Sequence, residues 1–190
     1  MIILGIDPGT LITGYGAIAL EPTGMKALNY GCIRPPATLP LPERYKILFE
    51  GIESLCEQLQ PDAIAVESQF MLKNAQSAIK LGMAKGMALL VAARRAIPVQ
   101  EFAPKKAKLA VVGHGQASKH QVQRMIQALL HLPKLPEPED AADALALAIC
   151  YAHNMRFATC MNSSEVNSKK KSRSRPSWKL TASPTVWPSP

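Results

Sequence analysis

Aromatic residues are scarce: phenylalanine, tyrosine and tryptophan together make up 5% of the 190 residues. The core must rest on Ala, Leu, Ile, Val and Met, and so much alanine and leucine favours helices packed closely on a second layer. Zinc-binding patterns are also missing. The four cysteines, at 32, 56, 150 and 160, form no CxxC pair and have no cluster of histidines beside them. A disulfide framework is not expected either, because a chain with its own core does not need one. The thiols are expected to be reduced, in a cytoplasmic protein. No apolar run approaches the ~20 residues of a membrane-spanning helix, so no membrane partner is expected. The opening MIILGID is too short for a secretory signal and leads straight into an acid. What remains is a chain with 47% hydrophobic residues, long enough for one domain with a real core and too short for two.

The net charge of +8 is unevenly spread. Residues 161–190 hold Lys169, Lys170, Lys171, Arg173, Arg175 and Lys179 against a single acid, Glu165. This stretch is rich in Ser, Pro and Lys and has almost no apolar periodicity. A folded domain over 1–158 followed by a disordered basic tail over 159–190 is the expected organisation. Such a tail fits a polyanionic partner, nucleic acid before membrane, and equally fits a solvated extension.

Residues 2–6 are a short continuous apolar run, which reads as a buried central strand ending at Asp7-Pro8-Gly9-Thr10. Residues 12–20 and 26–33 read as two further strands joined by a turn at Pro22-Thr23-Gly24, completing an antiparallel meander. Apolar residues at 45, 48, 52, 55 and 59 predict a helix over 43–59. Residues 63–67 form a second buried strand that again ends on an acid. A long helix is predicted over 75–95, a strand over 97–102, and helices near 104–111, 118–131 and 139–158. The order makes this an α/β domain with helices on the faces of a mixed sheet. Gly82 and Gly86 lie one turn apart in the long helix. Glycine costs about 1 kcal/mol there, so the pair marks a close backbone approach, to the chain's own sheet or to a second subunit.

Two acids, Asp7 and Glu67, stand where buried strands stop, and ligand sites in open sheets form at the carboxyl ends of strands. Two more, Asp140 and Asp143, are three apart in Glu-Asp-Ala-Ala-Asp-Ala-Leu-Ala, on one face of a helix. Taken singly, each has a plain structural explanation. Asp7 suits a turn, Glu67 an exposed strand end, Asp140 an N-cap, and Asp143 the positive end of a helix. Taken together in a basic, lysine-rich surround, they suggest one carboxylate cluster. Converging carboxylates repel unless a cation neutralises them. An oxygen-only donor set suits Mg²⁺, or Mn²⁺ in its place. Two such ions suit in-line displacement at a phosphodiester.

Ordered along the chain are Ile3-Leu4-Gly5-Ile6-Asp7-Pro8-Gly9-Thr10, Thr13-Gly14-Tyr15-Gly16, Glu67 with Phe70-Met71 and Lys73-Asn74, Leu81-Gly82 and Lys85-Gly86. Val111-Val112-Gly113, Lys119, Gln121-Val122-Gln123 and Asp140-Ala141-Ala142-Asp143-Ala144-Leu145-Ala146 follow. This set, covering residues 1–158, closely resembles the RuvC family of Holliday-junction resolvases. The resemblance implies an RNase-H-like mixed five-stranded sheet flanked by helices. It implies a Mg²⁺-dependent homodimer that nicks two opposed strands of a four-way junction, with a branch-migration complex of the RuvA–RuvB type as partner. Asp7, Glu67, Asp140 and Asp143 match the family's catalytic acids. Phe70 matches an aromatic that stacks on bases near the crossover; burial after a strand is its ordinary alternative. Lys108 and Lys119 match basic residues at the rim of the site, and the helix of Gly82 and Gly86 matches the dimer helix. Lys73, Lys105, Lys106, Lys108 and Lys119 can contact phosphates, and Lys119 can stabilise charge during cleavage. His114 and His120 receive no role.

Departures from the family pattern are the ending 161–190 and Met83, where a polar residue is expected. A rival class is the actin and sugar-kinase superfamily, which also follows a first strand with Asp-x-Gly-Thr. Those proteins need two such domains and an adenosine loop that this sequence lacks. A binding protein without catalysis, or a nuclease for another structure such as an RNA–DNA hybrid, are further alternatives.

Overall fold

Ile3, Leu4 and Ile6 are fully buried in strand β1 (Ile2–Asp7). A strand covered on both faces reads as continuous apolar sequence. The computed structural model describes residues 1–68, 74–114 and 116–165, with only the backbone of 156–165. Beside β1 run β2 (Thr13–Glu21) and then β3 (Gly24–Ile33), both antiparallel. On the other side lie β4 (Ala63–Glu67) and β5 (Val99–Phe102), both parallel. The five-stranded sheet has the order β3-β2-β1-β4-β5, so the mixed sheet is as predicted. Strand β5 starts two residues later than the sequence pattern indicated.

Alternate residues of β1 serve different layers. Leu4 and Ile6 pack with Ile52, Leu55, Ala88 and Val91, from helices α1 (Leu41–Leu59) and α2 (Ala75–Arg94). Ile3 packs on the opposite face with Leu145, Ile149 and Ile126. This layer is α3 (Pro104–Val112), α4 (Lys119–Leu129) and α5 (Glu139–Glu165). Ser118 and Gln121 form a capping box that starts α4. Helix α5 is buried continuously from Ala144 to Ala152, as expected of a helix that is apolar all round. It runs seven residues past 158, into the segment predicted to be tail. Its backbone meets no proline before Pro176, so nothing in the covalent chain stops it at 158. Residues 166–190, the rest of the predicted tail, lie outside the described residues.

Three glycines let α5 settle close to the sheet. A Cβ on Gly5 would stand 1.9 Å from the carbonyl oxygen of Ala144, and one on Gly14 would stand 2.0 Å from that of Asp140. One on Gly16 would stand 2.7 Å from Leu145. Gly5 pairs with Gly16, and Gly14 with Asp7. The glycines thus form a trough under the first turns of α5, beside the end of β1.

Gly82 and Gly86 do something else. A Cβ at either would meet nothing within 4 Å among the described residues, so neither is a contact with the chain's own sheet. The face of α2 that meets the sheet carries Ala84, Ala88, Val91 and Ala92.

Candidate active site

Ile6 and Val66 are partners in the parallel pair of β1 and β4. The next residue of each strand, Asp7 and Glu67, therefore lies at the same end of the sheet, one strand spacing apart. Helix α5 crosses this end on the trough and brings Asp143. The three carboxylates line one cleft of about 130 Å³ with Pro104, Ala107 and Lys108 from the start of α3. Asp140 lies one turn earlier, with its backbone on Gly14, and its charge still acts on Asp7.

Electrostatics at the cleft are those of crowded acids. The Asp7 carboxyl is pushed up to about 9, first by burial, then by its hydrogen bond to Glu67 and the charges of Glu67, Asp143 and Asp140. Glu67 is also raised, mainly by burial, with the nearby Asp143 adding to the effect and the hydrogen bond from Asp7 opposing it. Burial raises Asp143, while Lys119 and Lys108 pull the other way. Two carboxyls that hydrogen-bond each other share a proton.

The donor chemistry fits a hard divalent cation: only carboxylate oxygens, no thiolate and no imidazole. As the side chains stand, no group of three His, Cys, Asp or Glu residues among those described is gathered tightly enough to hold a metal ion. The backbone brings the acids to one cleft, where Asp7 and Glu67 hydrogen-bond each other and the oxygens of the set do not gather at a single point.

The predicted basic residues separate. Lys108 lines the cleft. Lys119 stands at the rim, paired with Glu139 at 2.6 Å. Lys105 is exposed outside the cleft lining. Lys106 lies over the Phe102 ring, 5.4 Å from its centroid. Phe70 and Lys73 lie outside the described residues. His114 lines a separate pocket with Arg124 and Met125, and His120 is exposed.

Sequence reasoning missed three groups. Glu139 is a fifth acid at the rim, visible in the sequence only as the neighbour of Asp140. Thr13, the one buried polar side chain among the described residues, ties the loop after Asp7. Its hydroxyl donates to the Gly9 carbonyl at 2.8 Å and accepts from the Gly9 N–H at 3.2 Å. Arg44, in the first turn of α1, donates to the Thr10 carbonyl from Nε at 2.9 Å and also from Nη2. Nothing in the sequence distinguishes it from any basic residue at a helix start.

Similar proteins are known from both sequence and structure. A curated crossover junction endodeoxyribonuclease RuvC from Protochlamydia amoebophila is 58% identical over 152 residues, covering 80% of this chain and 90% of that protein. The RuvC of Chlamydia pneumoniae is 48% identical over 162 residues, covering 84% and 96%. Among solved structures, Thermus thermophilus RuvC in complex with a Holliday junction substrate superposes with a TM-score of 0.79 at 32% identity, covering 84% of this chain and 97% of that one. The yeast mitochondrial resolvase Ydc2, at 16% identity and a TM-score of 0.60, shares the fold. These neighbours place the sheet and its helices in the RNase-H-like class. The family model for the crossover junction endodeoxyribonuclease RuvC matches residues 3–151, from β1 into α5, and the chain belongs to that family.

Proposed function

We propose that this chain is an endonuclease that resolves four-way DNA junctions in recombination and repair, by metal-dependent phosphodiester hydrolysis on two opposed strands. The observation that carries this reading is the meeting of Asp7, Glu67 and Asp143 in one cleft, with Asp140 alongside. These four would hold the metal, Mg²⁺ or Mn²⁺ in its place, two ions per subunit. Bound there, the ions supply an activated water and charge stabilisation for the leaving oxygen. Lys108 lies on the cleft wall and meets the scissile phosphate. Lys119 adds positive charge to the developing transition state once its ammonium turns from Glu139. Lys105 and Lys73 contact flanking phosphates, and Phe70 stacks on a base at the open centre of the junction. The expected partners are the junction itself and a branch-migration complex of the RuvA–RuvB type. No helix among the described residues is long and apolar enough to cross a membrane, which suits a cytoplasmic enzyme. The nuclease domain would then run through α5, past the expected boundary at 158, with the basic tail after it.

Symmetric nicking needs two sites, and α2 offers a surface for pairing. Ile79, Met83 and Leu90 are exposed at 63%, 50% and 49%. They share a face with Gly82 and Gly86, over which a partner helix can approach closely. Met83 sits at the middle of this stripe and makes it more apolar. Met83→Glu is expected to convert a dimer into a monomer in sedimentation analysis and to uncouple the two nicks. A variant that sediments as a dimer would remove α2 from the interface.

The reading as a whole is tested on a synthetic four-way junction with Mg²⁺. Paired nicks at symmetric positions are expected, with linear duplex of the same sequence left intact. Equal cutting of the duplex would show that the substrate assignment is wrong.

A further inference from the structure

Lys105, Lys108 and Lys119 lie on α3 and at the start of α4. The α1 side of the acids carries uncommitted cations. Asp7 pairs with Gly14, and Gly14 with Cys32, so a row runs from β1 across β2 to β3 at the carboxyl end of β1. With strands about 4.8 Å apart, Cys32 is about 10 Å from Asp7 along the row. Two residues further on, Arg34 is exposed. Its guanidinium is near enough to Cys32 to pull the thiol's pKa down against burial and the charge of Asp140, both of which raise it. Arg44 reaches the same side from α1 and holds the Thr10 carbonyl, at the tip of the loop that follows Asp7.

Neither guanidinium has an acid partner among the described residues, whereas Arg94, Arg95, Lys46, Lys85 and Lys119 all do. Arg44 is half-buried and spends two N–H groups on one carbonyl, which leaves three of its five donors. A partly desolvated cation without a counter-ion, on a tethered fork, is well suited to a phosphate.

We propose that Arg34 and Arg44 form a second phosphate-binding flank, on the α1 side of the acids, which grips the DNA backbone of the junction strand as it leaves the cleft. The flank rests on the junction-nuclease reading above. With Lys108 on one wall and the two arginines beyond the other, the strand is held on both sides of the scissile phosphate. The Thr10 tether fixes the Arg44 fork relative to the Asp7 loop, so that grip and cut keep one register.

The test is binding of the full chain to a fluorescently labelled four-way junction in EDTA, read by anisotropy across a potassium chloride series. Withdrawing one cation from a phosphate lowers the slope of log affinity against log salt by about 0.7–0.9. Arg34→Gln and Arg44→Gln should each lower it by about that amount per protomer and weaken binding at every salt concentration. Lys46→Gln, on the outer face of α1, should leave slope and affinity unchanged. Arg34→Gln should also keep the thermal midpoint, which separates a phosphate-binding role from a packing role. Arg44→Lys, which keeps the charge and loses the fork, should retain the slope and lose affinity. Because Arg44 also ties a loop, Arg34→Gln alone decides: wild-type slope and affinity in that variant overturn the flank. A wild-type chain that binds no junction at all overturns the nuclease reading beneath it instead.

Discussion

Asp7→Asn is expected to abolish junction cleavage and, in the metal-free protein, to raise thermal stability at neutral pH. Both effects have one origin. Asp7 is buried against Glu67 and Asp143, which pushes its carboxyl up to about 9 from an ordinary 3.8. Between those two values the unfolded chain ionises while the folded chain keeps the proton. The folded state thus binds more protons, and stability falls as pH rises across the window from about 4 to about 9. Asparagine has no proton to lose, and its amide can still donate a hydrogen bond to Glu67 where the protonated Asp7 carboxyl did. In melting curves with EDTA, the gap between variant and wild type should widen from pH 5 to pH 8. For catalysis, removing a mere supporting partner of a metal ligand typically costs about 10–100-fold. Loss of a ligand should cost more than about 100-fold, which reads as no nicking on a gel, while junction binding survives. A variant that still cuts, or that melts below the wild type at pH 8, would contradict this account of Asp7.

The concentration of Mg²⁺ needed for half-maximal cleavage should fall steeply as pH rises. Asp7, Glu67 and Asp143 all hold protons more tightly than ordinary carboxylic acids. A ligand must shed its proton before it can donate to a cation, so protons and metal compete. Below the pKa, each proton displaced raises the apparent metal affinity by about tenfold per pH unit. With Asp7 at about 9, half-saturation should drop by about 100-fold between pH 6.5 and 8.5. Titrating Mg²⁺ at fixed junction concentration measures it, and the half-saturation point separates this effect from any change in the maximal rate. A flat dependence would mean that the acids are already ionised before the cation arrives.

Both expectations concern residues that the sequence already marks, and the reason is physical. An acid at the end of a buried strand interrupts an apolar run, so Asp7 and Glu67 stand out after IILGI and AIAV. Asp140 and Asp143 are visible because charge is rare in an alanine-rich helix. Their meeting was not derivable from spacing alone. It depends on β1 and β4 being adjacent and parallel, a non-local choice. It also depends on α5 lying on the glycine trough, which reads in sequence only as scattered glycines. Glycine was ambiguous in α2 as well: the helix interior shows a missing side chain but not which neighbour takes the space. The lysines of α3 were legible as charge and not as direction. Lys106 and Lys108 are two apart and therefore point to different sides, one over Phe102 and the other into the cleft. Arg44 was invisible because its partner is a backbone carbonyl 34 residues earlier, and backbone acceptors leave no trace in a sequence.

The contact between Gly5 and the Ala144 carbonyl acts as a gauge block. Half of the carboxylate set is carried by strands and half by a helix, and the interval between the two carriers is fixed by the width of a missing methyl group. A chain that drifts toward alanine at Gly5, Gly14 or Gly16 would have to lift α5 away from β1 and β2. That would separate the two halves of the set before any acid is altered. Selection for cutting DNA therefore reaches three residues that never touch it.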